Sequence, residues 1–444
     1  MRGVAVVGNG AVGSVVAGCF ALLGNPVVGV ESDRRKLARL QAGRAPVHED
    51  GLDALLTAGL RSGLLRFTDD LADALAECST VFFCVGSAPE LLDLARMDDH
   101  IVVVKSTLPI GTTARLADAA GSERVVCNPE FLRQGSAIAD FLHPERVVLG
   151  GNDPVAVDSV VELYRPILDQ TVPGRAPSPP PALVRTSIAA AEMIKHASNA
   201  FLALKVSFAN EIANICAAAG VDVGSVTDAV GLDRRIGPAH LAAGVGWGGS
   251  CLGKDLAALI DAADEHGYDA RLLREVVALN DRQRRLVVAK LERHLGSLAG
   301  RRICLLGLAF KPGTDDLRDA PALAIAAALV AAGATVTAYD PVVRSVPDRP
   351  EIAVAADPYV ALSGADAVVL VTDWPEFTGL DLVAVRAPMR GNVFVDGRNA
   401  IDGAALVSAG FVVEAFGRRV SATPPATSVA IVTRTPSESQ PSLR

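Results

Sequence analysis

Short apolar runs alternate with longer stretches of helical periodicity along this chain. Gly3–Val7 is an apolar run that stops at glycines. A helical apolar pattern then continues to about Leu23, and Pro26–Val30 is a second run that ends at Glu31. This order predicts a βαβ unit. Further strands are expected at Thr80–Val85, His100–Val104, Arg124–Cys127 and Arg146–Leu149. Such alternation of strands and helices implies a parallel, doubly wound sheet. From about Ser187 to Ala219 the pattern is helical almost without interruption, with Gly220 as the stop signal. Shorter helical stretches follow, to about Leu295. A second βαβ-like unit opens at Arg301: a strand over Ile303–Phe310, a helix over Pro321–Ala332, and a strand over Thr335–Tyr339 that ends at Asp340-Pro341. Two more strands are expected at Ala367–Val371 and Asn392–Val395.

Composition narrows the class. A chain of 444 residues is too long for one ordinary core, so two or three domains are expected. Half the residues are hydrophobic and only 4% are aromatic, which favours helix-rich α/β packing over a β-sandwich. The net charge of −8 argues against nucleic acid as a partner, while leaving room for a local basic pocket. The seven cysteines have no CxxC spacing, so neither disulfides nor a metal site is expected, and a reducing, cytoplasmic setting fits. The N-terminus enters a strand pattern at once, with no signal peptide. No apolar run is long enough to cross a membrane without a charge or a breaker. Pro173–Pro181 is rich in Pro, Ser and Gly and marks the end of a first domain, and from about Ser421 the Ser/Thr/Pro-rich chain is expected to be disordered.

The glycines after the first strand form the pattern Gly8-Asn-Gly10-Ala11-Val12-Gly13. Their mechanics are those of a dinucleotide site. Gly8 permits the tight turn, Gly10 lets the backbone approach a pyrophosphate, and Gly13 allows close helix–strand packing, with the helix N-terminus offering N–H groups to the anion. Glu31, at the end of the next strand, is placed for the ribose hydroxyls and repels a 2′-phosphate, so NAD is expected rather than NADP. The nearby Arg34 and Arg35 weaken that discrimination. Lys36 is a further candidate contact.

The other informative stretch is Gly246-Trp-Gly248-Gly-Ser-Cys251-Leu-Gly-Lys254-Asp255. A cysteine in a glycine-rich turn beside a lysine and an aspartate can hold an aldehyde covalently, the thiolate being the competent form. Cys84, Cys127 and Cys304 lie inside apolar strands and read as small buried hydrophobes. Lys195 and Asn199 are four apart on one helix, so both face one way and can meet a developing oxyanion. Glu130 follows a strand and is a candidate general base. Thr107 also follows a strand and can order a water. Asp255 can hold that water or orient Lys195. A capping or turn role remains open for Thr107 and Asp255.

These residues carry a resemblance. Gly8–Gly13, Val103-Val-Lys-Ser-Thr107-Leu-Pro, Asn128-Pro-Glu130-Phe-Leu-Arg-Gln-Gly-Ser-Ala, Ala191-Glu-Met-Ile-Lys195-His-Ala-Ser-Asn199-Ala-Phe, Arg235-Ile-Gly, Gly246–Asp255, Gly307-Leu-Ala-Phe-Lys311-Pro-Gly-Thr-Asp-Asp-Leu-Arg and Asp396-Gly-Arg398-Asn stand in the order found in the UDP-glucose/GDP-mannose dehydrogenase family. The resemblance implies an α/β chain with two Rossmann-like doubly wound domains joined by a central helical dimerisation region. The expected limits are 1–180 for NAD, 181–298 for the central region with the cysteine, 299–420 for the nucleotide sugar, and a tail at 421–444. It implies a homodimer, two NAD per sugar and Cys251 as nucleophile. It also implies cofactor contacts from Ser87, Thr107 and Lys254. Substrate contacts are implied for Glu130, Phe131, Leu132, Lys195, Asn199, Arg235, Gly248, Lys311 and Arg398. A nucleoside-diphosphate glucose is the expected substrate, uracil ahead of thymine as the base, with GDP-mannose as the alternative sugar nucleotide.

The chain departs from the family pattern at four places. Gln134 stands where a second glutamate is common. Gly253 replaces a proline or glutamine and is expected to loosen the turn after Cys251. Val85-Gly-Ser-Ala-Pro89 replaces a VPTP-like strand end, and the connection from Pro89 to His100 is short. Two other classes stay open on sequence alone. One is a two-electron dehydrogenase of the 3-hydroxyacid type, which needs no Cys251. The other is a non-redox relative that releases no NADH.

Overall fold

The computed structural model describes residues 3–86, 97, 99–174 and 179–418, and its strands form two sheets. The first holds β1 (Gly3–Val7), β2 (Val27–Val30), β3 (Leu65–Thr68), β4 (Cys78–Phe83), β5 (Ile101–Val104), β6 (Val125–Cys127), β7 (Arg146–Gly151) and β8 (Ala182–Thr186). Their order across the sheet is β3-β2-β1-β4-β5-β6-β7-β8. The second holds β9 (Arg302–Leu306), β10 (Thr335–Tyr339), β11 (Ile352–Val354), β12 (Ala367–Leu370), β13 (Val393–Asp396) and β14 (Val412–Ala415). Its order, β11-β10-β9-β12-β13-β14, repeats that of the first six strands. Each sheet therefore reverses direction beside its first strand, between β1 and β4 and between β9 and β12. Ligands of open α/β sheets bind at that switch point, outside the carboxyl ends of the strands.

Helices cover both faces of these sheets, so the central strands read as continuous apolar runs. Ile303, Cys304 and Leu305 of β9 are fully buried, as are Ala367–Leu370 of β12. The helix Ala11–Leu22 packs Phe20 against Phe82, Phe141 and Tyr164 at centroid distances of 5.0, 5.3 and 5.4 Å.

Three expectations need correction. The first sheet is not wholly parallel, because β7 runs antiparallel to β6 with Val126 opposite Gly151. The 18 residues from Asn128 to Glu145 are long enough for a parallel crossover. Their loop and six-residue helix, Ala137–Leu142, instead bring the chain back to the end of the sheet it has just left, so it enters β7 there and runs antiparallel. The boundary expected near residue 180 falls inside this sheet, since β8 lies beyond it and pairs in parallel with β7. The strand expected over Ile303–Phe310 stops at Leu306. Gly307 turns the chain there with φ +95°, and a Cβ on it would lie 2.4 Å from Thr372 Cβ. Leu308–Lys311 thereby becomes a loop at the carboxyl edge. Ser87, most of the 89–100 connection and the tail beyond 418 lie outside the described residues.

One helix joins the two halves. Ile188–Ala219 runs 32 residues, about 48 Å at 1.5 Å per residue. The Ser187 hydroxyl caps it by accepting from the Ala190 N–H, and Gly220 ends it with φ +70°. At its start, buried Glu192 accepts from the Gly111 and Thr113 N–H groups, at 2.6 and 2.8 Å, and so holds the N-terminus of the helix Thr112–Ala120. Near its far end, Ala213 lies against Gly417, where a Cβ would come within 2.7 Å of the Ala213 carbonyl. A side chain at either end of this helix thus has a fixed position relative to both sheets.

Candidate active site

The cofactor cleft follows from three glycines that a side chain would each disturb differently. Gly8 has φ +84°, and a Cβ there would meet Val85 at 2.7 Å. A Cβ on Gly13 would lie 2.0 Å from the Gly8 carbonyl oxygen. Around Gly10 there is open space, with no atom within 4 Å of where a Cβ would stand. That space lies at the N-terminus of the helix Ala11–Leu22, whose first residues are Ala11 and Val12. A pyrophosphate needs this arrangement: free N–H groups and room for close approach. At the end of β2, Glu31 is buried and its carboxylate accepts from the Asn9 and Asp33 N–H groups, each at 3.0 Å. These two bonds fix the carboxylate and leave lone pairs for ribose hydroxyls, so the residues present fit NAD. Lys36 is exposed on the first turn of the helix Arg34–Gln41. Replacing Glu31 by alanine is expected to raise KM for NAD about tenfold, the value of one charge-assisted hydrogen bond. The preference over NADP should narrow at the same time, as initial rates with both cofactors would show.

The chemical cluster gathers four segments. Glu130 follows β6, and its Oε2 accepts from the Leu132 N–H at 2.7 Å. Its Oε1 accepts from Lys195 Nζ at 3.1 Å, and both side chains are at least nine-tenths buried. Phe131 supplies the wall beside them, with Lys195 Nζ 5.4 Å from its ring centroid and the Arg146 guanidinium 4.1 Å from it. One turn along the helix, Asn199 Nδ2 donates to Asp255 Oδ2 at 2.5 Å. Asp255 is 1% exposed, and its Oδ1 accepts from Lys254 Nζ at 2.7 Å. Lys254 Nζ also reaches the Thr107 carbonyl at 3.4 Å, which ties the loop after β5 to the cysteine segment.

Cys251 is exposed, whereas Cys127 and Cys304 are buried and their thiols are pushed up to about 12, with burial the largest cause. Cys84 is half-buried by area, but its thiol is also driven to about 12 by burial. Cys251 stands at the N-terminus of the helix Leu252–Glu265, with its Sγ 3.6 Å from Ser250 Oγ. The preceding turn is shaped by glycines. Gly246 has φ +96° and would place a Cβ 2.3 Å from Asn280 Oδ1, and Gly248 would place one 2.3 Å from the Asp319 carbonyl. Gly253 is different, since a Cβ there meets only ordinary contacts at 3.4 Å. It lies in the first turn of the helix Leu252–Glu265, so the segment after Cys251 is helical.

The second sheet presents Lys311 and Arg398 from its carboxyl edge. Lys311 Nζ donates to the Gln134 carbonyl, and burial lowers its pKa. Gln134 Oε1 accepts from Thr314 Oγ1 at 3.3 Å, so the position that departs from the family pattern bridges the two sheets. Arg398 donates to the carbonyls of Val371, Gly246 and Phe310 at 2.6, 3.2 and 3.2 Å. This uses three of the five N–H groups of a guanidinium and leaves two for a ligand. Arg235 is exposed and doubly bonded to Asp233, apart from this cluster.

The sequence reading missed a buried trio behind Glu130. Lys105 Nζ donates to Asn128 Oδ1 at 3.0 Å and to the Tyr164 hydroxyl at 3.1 Å, and that hydroxyl donates to Asn128 Oδ1 at 2.7 Å. Burial lowers the Lys105 amine to about 8. A lysine inside an otherwise apolar strand end was the available signal.

Comparison with known proteins covers most of the chain. Three models of the UDP-glucose/GDP-mannose dehydrogenase family match in order: the NAD binding domain at residues 2–168, the central domain at 189–282 and the UDP binding domain at 304–403. A UDP-glucose 6-dehydrogenase of Pseudomonas aeruginosa is 41% identical over 93% of this chain and 97% of its own length. A UDP-glucose dehydrogenase of Pyrobaculum islandicum superposes with a TM-score of 0.83 at 35% identity, over 94% of this chain and 98% of that one. A UDP-D-ManNAc dehydrogenase of Pyrococcus horikoshii gives 0.81 at 27% identity, covering 94% and 99%. The chain belongs to the UDP-glucose/GDP-mannose dehydrogenase family and is an NAD-dependent oxidoreductase acting on a nucleotide sugar.

Proposed function

We propose that the protein oxidises UDP-glucose at C6 to the uronic acid in two successive oxidations, with Cys251 holding the intermediate. The observation that supports this most directly is the exposed Cys251 thiol at the N-terminus of the helix whose Asp255 bonds Asn199, one turn along from the buried Lys195–Glu130 pair. The names of the relatives at about 40% identity favour glucose and uracil. NAD, when bound, accepts a hydride at each oxidation. The chain's residues do the rest. Lys195 and Asn199 stabilise negative charge on the C6 oxygen. The Cys251 sulfur bonds to C6 of the aldehyde, whose oxygen takes a proton, giving a thiohemiacetal; loss of hydride and proton then leaves a thioester. Glu130 takes a proton from water, which adds to the thioester carbon and expels the thiolate. In balance, one alcohol, two NAD and one water give one carboxylate, two NADH and three protons. Thr107 helps to hold that water. Lys311 and Arg398 bind the diphosphate. Limiting UDP-glucose with excess NAD should give two NADH per sugar. One NADH would point to a simple alcohol dehydrogenase. None, with turnover of TDP-glucose or GDP-mannose, would mean another substrate.

The chain acts as a homodimer in a reducing, cytoplasmic setting that keeps Cys251 a thiol. The helix Ile188–Ala219 is apolar and long enough to cross a membrane. However, it buries Glu192, Lys195, His196, Asn199 and Asn210 against the rest of the chain. On its other face Phe201, Phe208 and Ile215 recur every seven residues and stay 60%, 50% and 56% exposed. Such a stripe favours a second protein copy over lipid. Phe208→Glu is expected to shift the protein to monomer in analytical ultracentrifugation, with a loss of stability relative to the parent that is largest at high protein concentration and shrinks on dilution.

A further inference from the structure

His196 lies between the two halves of the chemical cluster, and none of the steps above uses it. It is 1% exposed. Its Nε2 lies 2.8 Å from the Leu108 carbonyl oxygen, and a carbonyl only accepts, so Nε2 carries a proton. In a neutral ring Nδ1 would then be a bare lone pair. That Nδ1 has no hydrogen-bond partner, and it faces Asp255 Oδ1 at 3.8 Å, with Asp255 itself 1% exposed. A lone pair opposed to a buried carboxylate is unfavourable, and an N–H there is attractive. The surroundings balance the extra charge. Asp255 carries the negative charge, and Lys254 shares its Oδ1 from outside. Glu192, one turn earlier on the same helix, is occupied by the Gly111 and Thr113 N–H groups. Lys195 is neutralised by Glu130.

We propose that His196 is the positioning residue of the Asp255–Asn199 arm, acting as an imidazolium whose Nδ1–H attracts Asp255 Oδ1 across 3.8 Å while Nε2–H holds the loop after β5. Asp255 has two oxygens. Asn199 occupies Oδ2, and Oδ1 otherwise depends on Lys254, whose side chain is half exposed. A buried positive charge beside Oδ1 restrains the carboxylate, and through it the Asn199 amide that meets the C6 oxygen. Misplacement of such a group by about 1 Å lowers turnover about a hundredfold. This inference rests on the proposed role of Asn199, and it concerns kcat rather than binding.

The test separates the two ring nitrogens. Asparagine at 196 can place its amide near Nδ1, toward Asp255, and glutamine can place its amide near Nε2, toward Leu108. His196→Asn is expected to keep kcat within about fivefold, while His196→Gln and His196→Ala lose about 10–100-fold, with KM for UDP-glucose and NAD unchanged. In histidine-15N-labelled full-length protein, both nitrogens of the ring assigned to His196 should show protonated shifts near neutral pH. A bare Nδ1 in that spectrum, or glutamine supporting turnover as well as asparagine does, would overturn the proposal. The spectrum is read on the unsubstituted protein, so it decides even if the variants fail to fold. It is also independent of NADH stoichiometry, so failure of the proposed reaction would be recognised separately.

Discussion

With Cys251 replaced by serine, production of the acid is expected to fall by about 10³-fold or more, while the protein stays folded. The two halves of this expectation have separate grounds. Cys251 is exposed, with its sulfur 3.6 Å from Ser250 Oγ. Losing it removes little packing, and exposed substitutions of this kind change stability by about 0.5 kcal/mol or less. The chemical loss is large. A serine hydroxyl is a far weaker nucleophile than a thiolate near neutral pH, and the ester it would form hydrolyses more slowly than a thioester. The first oxidation needs no sulfur, so the variant can make aldehyde and at most one NADH per sugar. Mixing enzyme with limiting UDP-glucose and following absorbance of NADH would show this as a halved, slowed yield. A variant that still releases two NADH per sugar at an undiminished rate would remove Cys251 from the mechanism.

Sequence carried much of this site, for physical reasons that differ by residue. The strand Thr335–Tyr339 and the long helix up to Ala219 were legible because both are long, strongly patterned and closed by turn or cap residues. Gly8, Gly13 and Glu31 were legible because a dinucleotide fold restricts the first two to glycine and the third to a carboxylate. β3, β11 and β14 escaped, being three or four residues long and half-exposed along part of their length, so they carry no distinct apolar run. The direction of β7 escaped because it depends on where a short helix leaves the chain. The same holds for Lys105, whose partners Asn128 and Tyr164 lie 23 and 59 positions away. His196 was inside a motif but silent, since one histidine on a helix gives no hint of which carboxylate it will face. Arg235 shows the opposite case: its motif was legible, yet it binds only Asp233 among the contacts described.

The second large effect is expected at Lys195 and Glu130, where stability and activity should part. The pair is buried, at 3.1 Å, with side chains 5% and 8% exposed. Lys195→Met leaves the Glu130 carboxylate with the Leu132 N–H as its remaining described partner, and Glu130→Gln leaves an ammonium against an amide and the Phe131 ring. Removing one member of such a pair costs about 3–5 kcal/mol, because the other charge stays buried. Removing both should cost much less than the sum, with a coupling of about 0.5–3 kcal/mol in a double-mutant cycle by denaturant titration. Turnover should behave otherwise. In the proposed reaction Lys195 meets charge on the C6 oxygen and Glu130 takes the proton of water, so each single variant should lose about 10²–10³-fold in kcat. The double variant should stay at least as slow although its fold is restored. Recovery of turnover together with stability would instead mean that the pair only holds the loop after β6 in place.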